Sequence, residues 1–230
     1  MNPLYKSLIS QVENKMAGYI ALLSFRYQNL CVKADAASLM PVNVMMGGEP
    51  KNIEDVAKVG VTDDYHLAVF PNQEGLQPFV TDGIFRSHPE FKLEVKTYKL
   101  NDEDRHFLYY EMPEVDSNRH DILEQGVNSL HDECKAKLDE IHVENVASLT
   151  GMLKGSAKDL ETVCKELDRI HDDYVEKAKG VRDKKLEEIE EAFQRYQEAH
   201  SSENGGDEDN NDQADNGYNV TLGMRMGSEE

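Results

Sequence analysis

The residues through which this 230-residue chain could do chemistry are eight histidines, three cysteines and 45 carboxylates, and their spacing decides what they can do. His131 and His142 stand closest on one helical stretch, eleven residues apart. Eleven residues of helix rise about 16 Å, too far for two imidazoles to share an ion. Asp207, Glu208, Asp209 and Asp212 lack the alternating acidic spacing and the bidentate glutamate of a calcium loop. Cys31, Cys134 and Cys164 are odd in number and show no CxxC pair, against both a disulfide framework and a zinc knuckle. They read as buried thiols, with Cys134 and Cys164 unbonded on the seams of adjacent helices. The chain has no GxxxxGK[ST] phosphate loop, no GxGxxG after a strand, no HExxH and no GxSxG. No enzyme is expected, and neither cofactor nor metal.

Charge narrows the partners. Twenty-five Lys and Arg against 45 Asp and Glu leave a formal charge of −20, opposite to that of a protein holding DNA by phosphate neutralisation. Residues 1–113 carry 11 basic and 15 acidic side chains, residues 114–200 carry 13 and 22, and residues 201–230 carry 1 and 8. Acidity therefore belongs to the body of the protein as well as to its end. No run of 18 uncharged apolar residues exists, so no membrane span is expected. The opening MNPLYKSLISQVENK lacks the basic-then-apolar build of a secretory signal, which points to the cytoplasm.

Apolar spacing supplies the elements that must position these residues. Tyr5, Leu8, Val12, Met16, Tyr19, Leu23, Tyr27 and Leu30 recur at three and four, one face of a helix over residues 3–31. Leu123, Val127, Leu130, Cys134, Leu138, Ile141 and Val146 do the same over 117–153, after capping acceptors at Asp116, Ser117 and Asn118. Leu160, Cys164, Leu167, Ile170, Tyr174, Ala178, Val181, Leu186, Ile189, Phe193 and Tyr196 define a third, over 157–197. Three long helices with narrow seams predict an antiparallel bundle. Between the first two lie β-rich runs at 42–46, 66–70, 91–98 and 106–111, broken by Gly47-Gly48, Pro50, Pro71 and Pro89, with one short helix over 79–85. The predicted class is α+β: a three-helix bundle from 1–34 and 113–200, an inserted small β/α/β domain at 35–112, and a disordered acidic tail at 201–230.

This order resembles the ribosome recycling factor family. Ala36-Ala37-Ser38-Leu39-Met40 followed by Val42-Asn43-Val44-Met45-Met46-Gly47-Gly48-Glu49-Pro50 is similar to the family's passage from first helix to first strand. Ile53 to Ala57 and Val59 to Asp64 resemble its next block, and Met112-Pro113-Glu114-Val115-Asp116-Ser117-Asn118-Arg119 resembles its entry into the second helix. Leu167 to Ile189 follows its third helix, so the resemblance spans residues 5 to 195. It implies an L-shaped molecule whose small domain swings on linkers at Lys33–Pro41 and Met112–Glu114, with Asp35, Pro41 and Pro113 as hinge residues. It also implies the family's function, which is to bind the large-subunit side of the post-termination ribosome and, with elongation factor G, help split the subunits.

The family's RNA-gripping arginines are not matched here. The glycine-arginine pair before the first strand is replaced by Ala34-Asp35, and the arginines midway along the second helix align with Asp139, His142 and Val143. A guanidinium forks onto phosphate, whereas a carboxylate in its place repels it. Arg119, Lys135 and Lys137 remain as phosphate candidates, beside the ordinary role of solvated helix charges. Two readings stay open: a divergent translation factor, or a paralogue that has left ribosomal RNA for a basic protein partner.

Overall fold

The computed structural model describes residues 3–100, 103–152 and 157–201. Helix α1 (Pro3–Tyr27) is followed by a 3-10 turn (Ala36–Leu39), strands β1 (Asn43–Met46) and β2 (Glu49–Asn52), and the single-turn helix α2 (Ile53–Val56). Then come β3 (Ala57–Asp63), β4 (His66–Pro71), α3 (Gln77–Ser87), β5 (Lys92–Leu100), β6 (Glu103–Glu111), and two long helices, α4 (Ser117–Met152) and α5 (Ala157–Ser201).

The three long helices share one apolar core in which Val12, Met16, Leu23, Val127, Leu138, Leu167, Ile170, Ala178 and Ile189 are buried. Cross-helix contacts fix the directions. Tyr27 donates its hydroxyl to the Val127 carbonyl at 3.0 Å, while the Cys134 thiol reaches back to the Tyr19 carbonyl, so α1 and α4 run antiparallel. His120 with Glu190 and His142 with Asp168 give the same sense to α4 and α5. The first helix stops at Tyr27, short of the expected residue 31. Beyond it Gln28, Asn29 and Leu30 donate to carbonyls three residues back, a tighter winding that still keeps Leu30 against the core. Asp116 caps α4 by accepting from the Arg119 amide at 2.7 Å.

Cys164 departs from expectation: Cys31 and Cys134 are buried, but Cys164 is only partly so. Val163 and Leu167 hold the seam at that turn, and Cys164, about 100° around the helix from Val163, falls on its flank. The expected tail 201–230 lies, apart from Ser201 at the end of α5, outside the described residues.

The inserted segment has a second core, built on Leu39, Val42, Val44, Ile53, Leu67, Val69, Val80, Ile84, Phe91, Leu108 and Tyr110. Among the described residues it holds two antiparallel sheets: the β1–β2 hairpin, and a four-stranded sheet in the order β3-β4-β6-β5. Strands β2 and β3 were not among the expected β runs. The β2 residues Glu49-Pro50-Lys51-Asn52 are all exposed and bury no apolar face that a pattern would reveal. The hairpin turn needs left-handed backbone at both central positions, and glycine supplies it at Gly47 (φ 61) and Gly48 (φ 90). Helix α3 lies so close to β1 that a Cβ at Gly83 would come 3.0 Å from the Asn43 carbonyl oxygen.

Candidate functional site

The chain crosses between the two cores twice, and both crossings are bonded to one turn. Ala34 donates its amide to the Asp64 carbonyl and Met112 donates to the neighbouring Tyr65 carbonyl, each at 2.7 Å. Around them stand the expected hinge residues. The Asp35 side chain accepts from the Ala37 amide and so caps the 3-10 turn, while Pro41 and Pro113 are half-buried. Arg119 belongs to the same junction. Its guanidinium donates to the Cys31 carbonyl at 2.9 Å, and burial pulls it down from its usual value against the opposing field of Glu90. A side chain turned inward in this way ties the crossing strands; it does not stand free on the surface as a phosphate contact would. The Cys31 thiol is pushed up to about 11, chiefly by burial.

The middle of α4 gathers the other candidates. Asp139 accepts from Nε2 of His171 at 2.7 Å, and His142 meets Asp168 through its Nε2 at 2.8 Å. The two imidazole rings lie 4.7 Å apart between these carboxylates. Each helix thus contributes one histidine and one aspartate to a reciprocal pair of bridges. Sequence reasoning missed Asp168 and His171, which sit three residues apart on α5 and become partners only once the antiparallel register is known. Val143 is 64% exposed beside them. Lys135 is exposed on α4, and Lys137 is engaged by Glu140 at 2.6 Å, the bond that raises its ammonium above the usual value. His131 is buried at the seam, with Nδ1 near Asp132.

Among the described residues, one set, His120, Asp121 and Glu124, brings possible metal-ligating atoms within 4.8 Å of one another. Nε2 of His120 is already engaged by Glu190 at 3.2 Å, and exposed acidic helices commonly produce such groupings. No described helix is long and apolar enough to cross a membrane.

An antiparallel bundle interrupted after its first helix by an α+β insert is the architecture of the recycling factors, and two solved structures share it. A solution structure of a ribosome recycling factor superposes with a TM-score of 0.63 at 12% identity, covering 83% of this chain and 100% of that one. A T. thermophilus ribosome recycling factor, from models of that factor and E. coli elongation factor G bound to the E. coli post-termination complex, superposes with a TM-score of 0.51 at 20% identity, covering 80% and 98%. At such identities the likeness shows the fold alone. The sequence profile of the ribosome recycling factor family matches residues 27–189, more than half of the chain, and the chain belongs to that family. No curated protein matches it in sequence.

Proposed function

We propose that this chain is a translation factor of the recycling kind: a non-enzymatic, cytoplasmic protein that binds the large subunit of the post-termination ribosome and, with elongation factor G, helps separate the subunits. The observation that carries this reading is the family match running from the end of α1 through the insert and into α5. The working units are the bundle of residues 1–34 and 113–200 and the insert of 35–112, turning about Asp35, Pro41 and Pro113. The two separate hydrophobic cores support that division.

Ribosome binding by this chain leans little on α4. Lys135 and Lys137 are its remaining cations near the mid-helix face, where Asp139 and His142 are drawn into bridges with α5. A contact with few guanidinium–phosphate forks loses affinity only gently as salt rises, because each neutralised phosphate adds roughly 0.9 to the slope on a duplex reference. Co-sedimentation with large subunits from low to moderate salt tests this. The wild type binds with a shallow slope, and the double variant Asp139→Arg, His142→Arg binds more tightly and more steeply. The −20 charge and the closed histidine–aspartate face support a second reading, an acidic module that docks on a basic protein. Failure of both proteins to co-sediment at low salt would select it.

A further inference from the structure

One apolar hollow on the bundle stands uncovered. Between α1 and α4 runs a groove of about 350 Å³, walled by Tyr19, Leu22 and Leu23 on one side and by Leu130, Cys134 and Ala136 on the other. Leu22 is 47% exposed and Ala136 is exposed, while Leu23 and Cys134 are buried in its floor. The charged side chains that line it are spent locally. Arg26 reaches from α1 to Glu133 on α4 at 2.6 Å, and Lys137 bridges Glu140 at 2.6 Å. The groove therefore offers an occupant apolar area and no unpaired charge.

The chain itself contains a segment of matching chemistry. After Ser201, the sixteen residues 202–217 carry six carboxylates and no Lys or Arg, and Ala214 is their one apolar side chain. Then Tyr218, Val220, Leu222, Met224 and Met226 alternate with Asn219, Thr221, Gly223 and Arg225. In an extended chain such an alternation puts every apolar side chain on one side. This segment is also tethered within reach. His200 lies 3.7 Å from Glu114, so α5 ends beside the entry to α4. From Ser117 to Lys137, at the far end of the groove, is about 30 Å of helix. Sixteen extended residues span up to about 50 Å, enough for that rise and for the way around a helix about 10–12 Å across.

We infer that residues 218–226 dock in the α1–α4 groove of their own chain, seating Leu222 and Met224 between Leu22 and Ala136. Tethering makes a weak fit sufficient, because a linker of this length holds the segment at an effective concentration on the order of millimolar. A second copy of the chain, free in solution at micromolar concentration, competes at roughly a thousandfold disadvantage. The contact is apolar, since the linker and the bundle are both acidic and repel each other. Salt screens that repulsion and so tightens the docking, opposite to its effect on a contact held by charge. Any partner of this groove must first displace the segment. The inference stands apart from the recycling role.

The chain contains no tryptophan, so one introduced indole reports alone. Leu22→Trp in the full chain places it on the groove wall, and acrylamide quenching measures how far it is covered. Quenching should be about threefold slower than when the tail also carries Leu222→Asp and Met224→Asp, the protection given by a segment that fills its groove roughly two-thirds of the time. Ala136→Glu, which obstructs the groove from the opposite wall, should uncover the reporter equally. A reporter on the insert, Phe79→Trp at a position 44% exposed, should ignore the tail. Thermal unfolding checks that Leu22→Trp and Ala136→Glu keep the bundle. With the groove unaltered, the Cys134 thiol in its floor should react faster with a small disulfide reagent once the two tail substitutions are present. Indifference of both the indole and Cys134 to those substitutions would overturn the proposal. So would cover that weakens on dilution, which would seat a second copy in the groove, or cover that is lost as salt rises, which would make the contact one of charge.

Discussion

The middle of the α4–α5 face and the outer face of the insert's sheet both bring imidazoles, carboxylates and cations to the surface, and both pair them internally, the helices by bridges alone and the sheet by bridges set among packed rings. On the bundle, His142, Asp168, His171 and Asp139 satisfy one another across two helices, and the exposed residue beside them is an aliphatic valine. On the sheet, His66 stacks on Tyr109 and Phe70 on Phe107, Tyr98 meets Phe70 and Phe107 edge-on, Lys96 stands over Tyr109, and Lys96 and Lys92 are bridged to Glu94 and Glu111. A surface whose polar groups are spent on each other is poor at gripping a charged ligand, because binding must first break those pairs. In this molecule, then, the helical face where the family resemblance places RNA contacts is closed by its own histidine–aspartate bridges.

The sharpest way to break the comparison is to damage one core and watch the other. Leu138 and Leu108 are fully buried, one behind the histidine–aspartate face and one beneath the ring array. Truncating either, Leu138→Ala or Leu108→Ala, should cost about 2–5 kcal/mol by lost burial and a residual cavity. Hydrogen exchange should rise in α4 and α5 for the first variant and in β4 to β6 for the second. Uniform loss across both regions would show that the two cores unfold as one.

The junction between the regions should be alkali-sensitive. The folded Cys31 thiol lies at about 11 against 9.0 for an ordinary one, so as pH rises through 9 the unfolded chain sheds this proton first and gains stability relative to the fold. Stability present below pH 9 should therefore fall by about 2 kcal/mol as pH approaches 11. Tyr27 and Tyr110, both raised from 10.0 to about 12 mainly by burial, add losses that begin above pH 10. Chemical denaturation between pH 8 and 10 should show the first decline in the wild type and a shallower one in Cys31→Ala, where the Cys134 thiol, also raised by burial, still contributes. A decline unchanged in that variant would place the sensitivity elsewhere.

The smallest effect concerns the histidine–aspartate bridges themselves. Asp139 is half-exposed, and bridges of that kind contribute little once solvent competes. Asp139→Ala should destabilise the bundle by no more than about 1 kcal/mol in urea unfolding. A much larger loss would mean that the closed face is a structural keystone and not merely a surface without phosphate contacts.

Much of the scaffold was legible in the chain because periodicity is a local property. The three-four spacing through Val127, Leu138, Leu167 and Ile170 reports which side of each helix must leave water, and all four are buried in one core. The Asp116 cap and the Gly47-Gly48 turn were readable for the same reason, since each acts within a few residues of itself. Strand β2 was not, because a fully exposed edge strand carries no apolar alternation.

What only the tertiary structure decided depends on distant segments meeting. The partnership of Asp139 with His171 follows from the antiparallel register of α4 on α5, which no stretch of either helix encodes alone. Arg119 read as a surface cation, yet its guanidinium is held at the Cys31 carbonyl, 88 residues away along the chain. The aromatic array gathers Phe70, Tyr98, Phe107 and Tyr109 from three strands, and the pairing of β6 between β4 and β5 is what sets their rings side by side. Local sequence selects helices, strands and their buried faces through propensity and solvent exclusion. Which exposed side chains become neighbours is settled by how those faces pack.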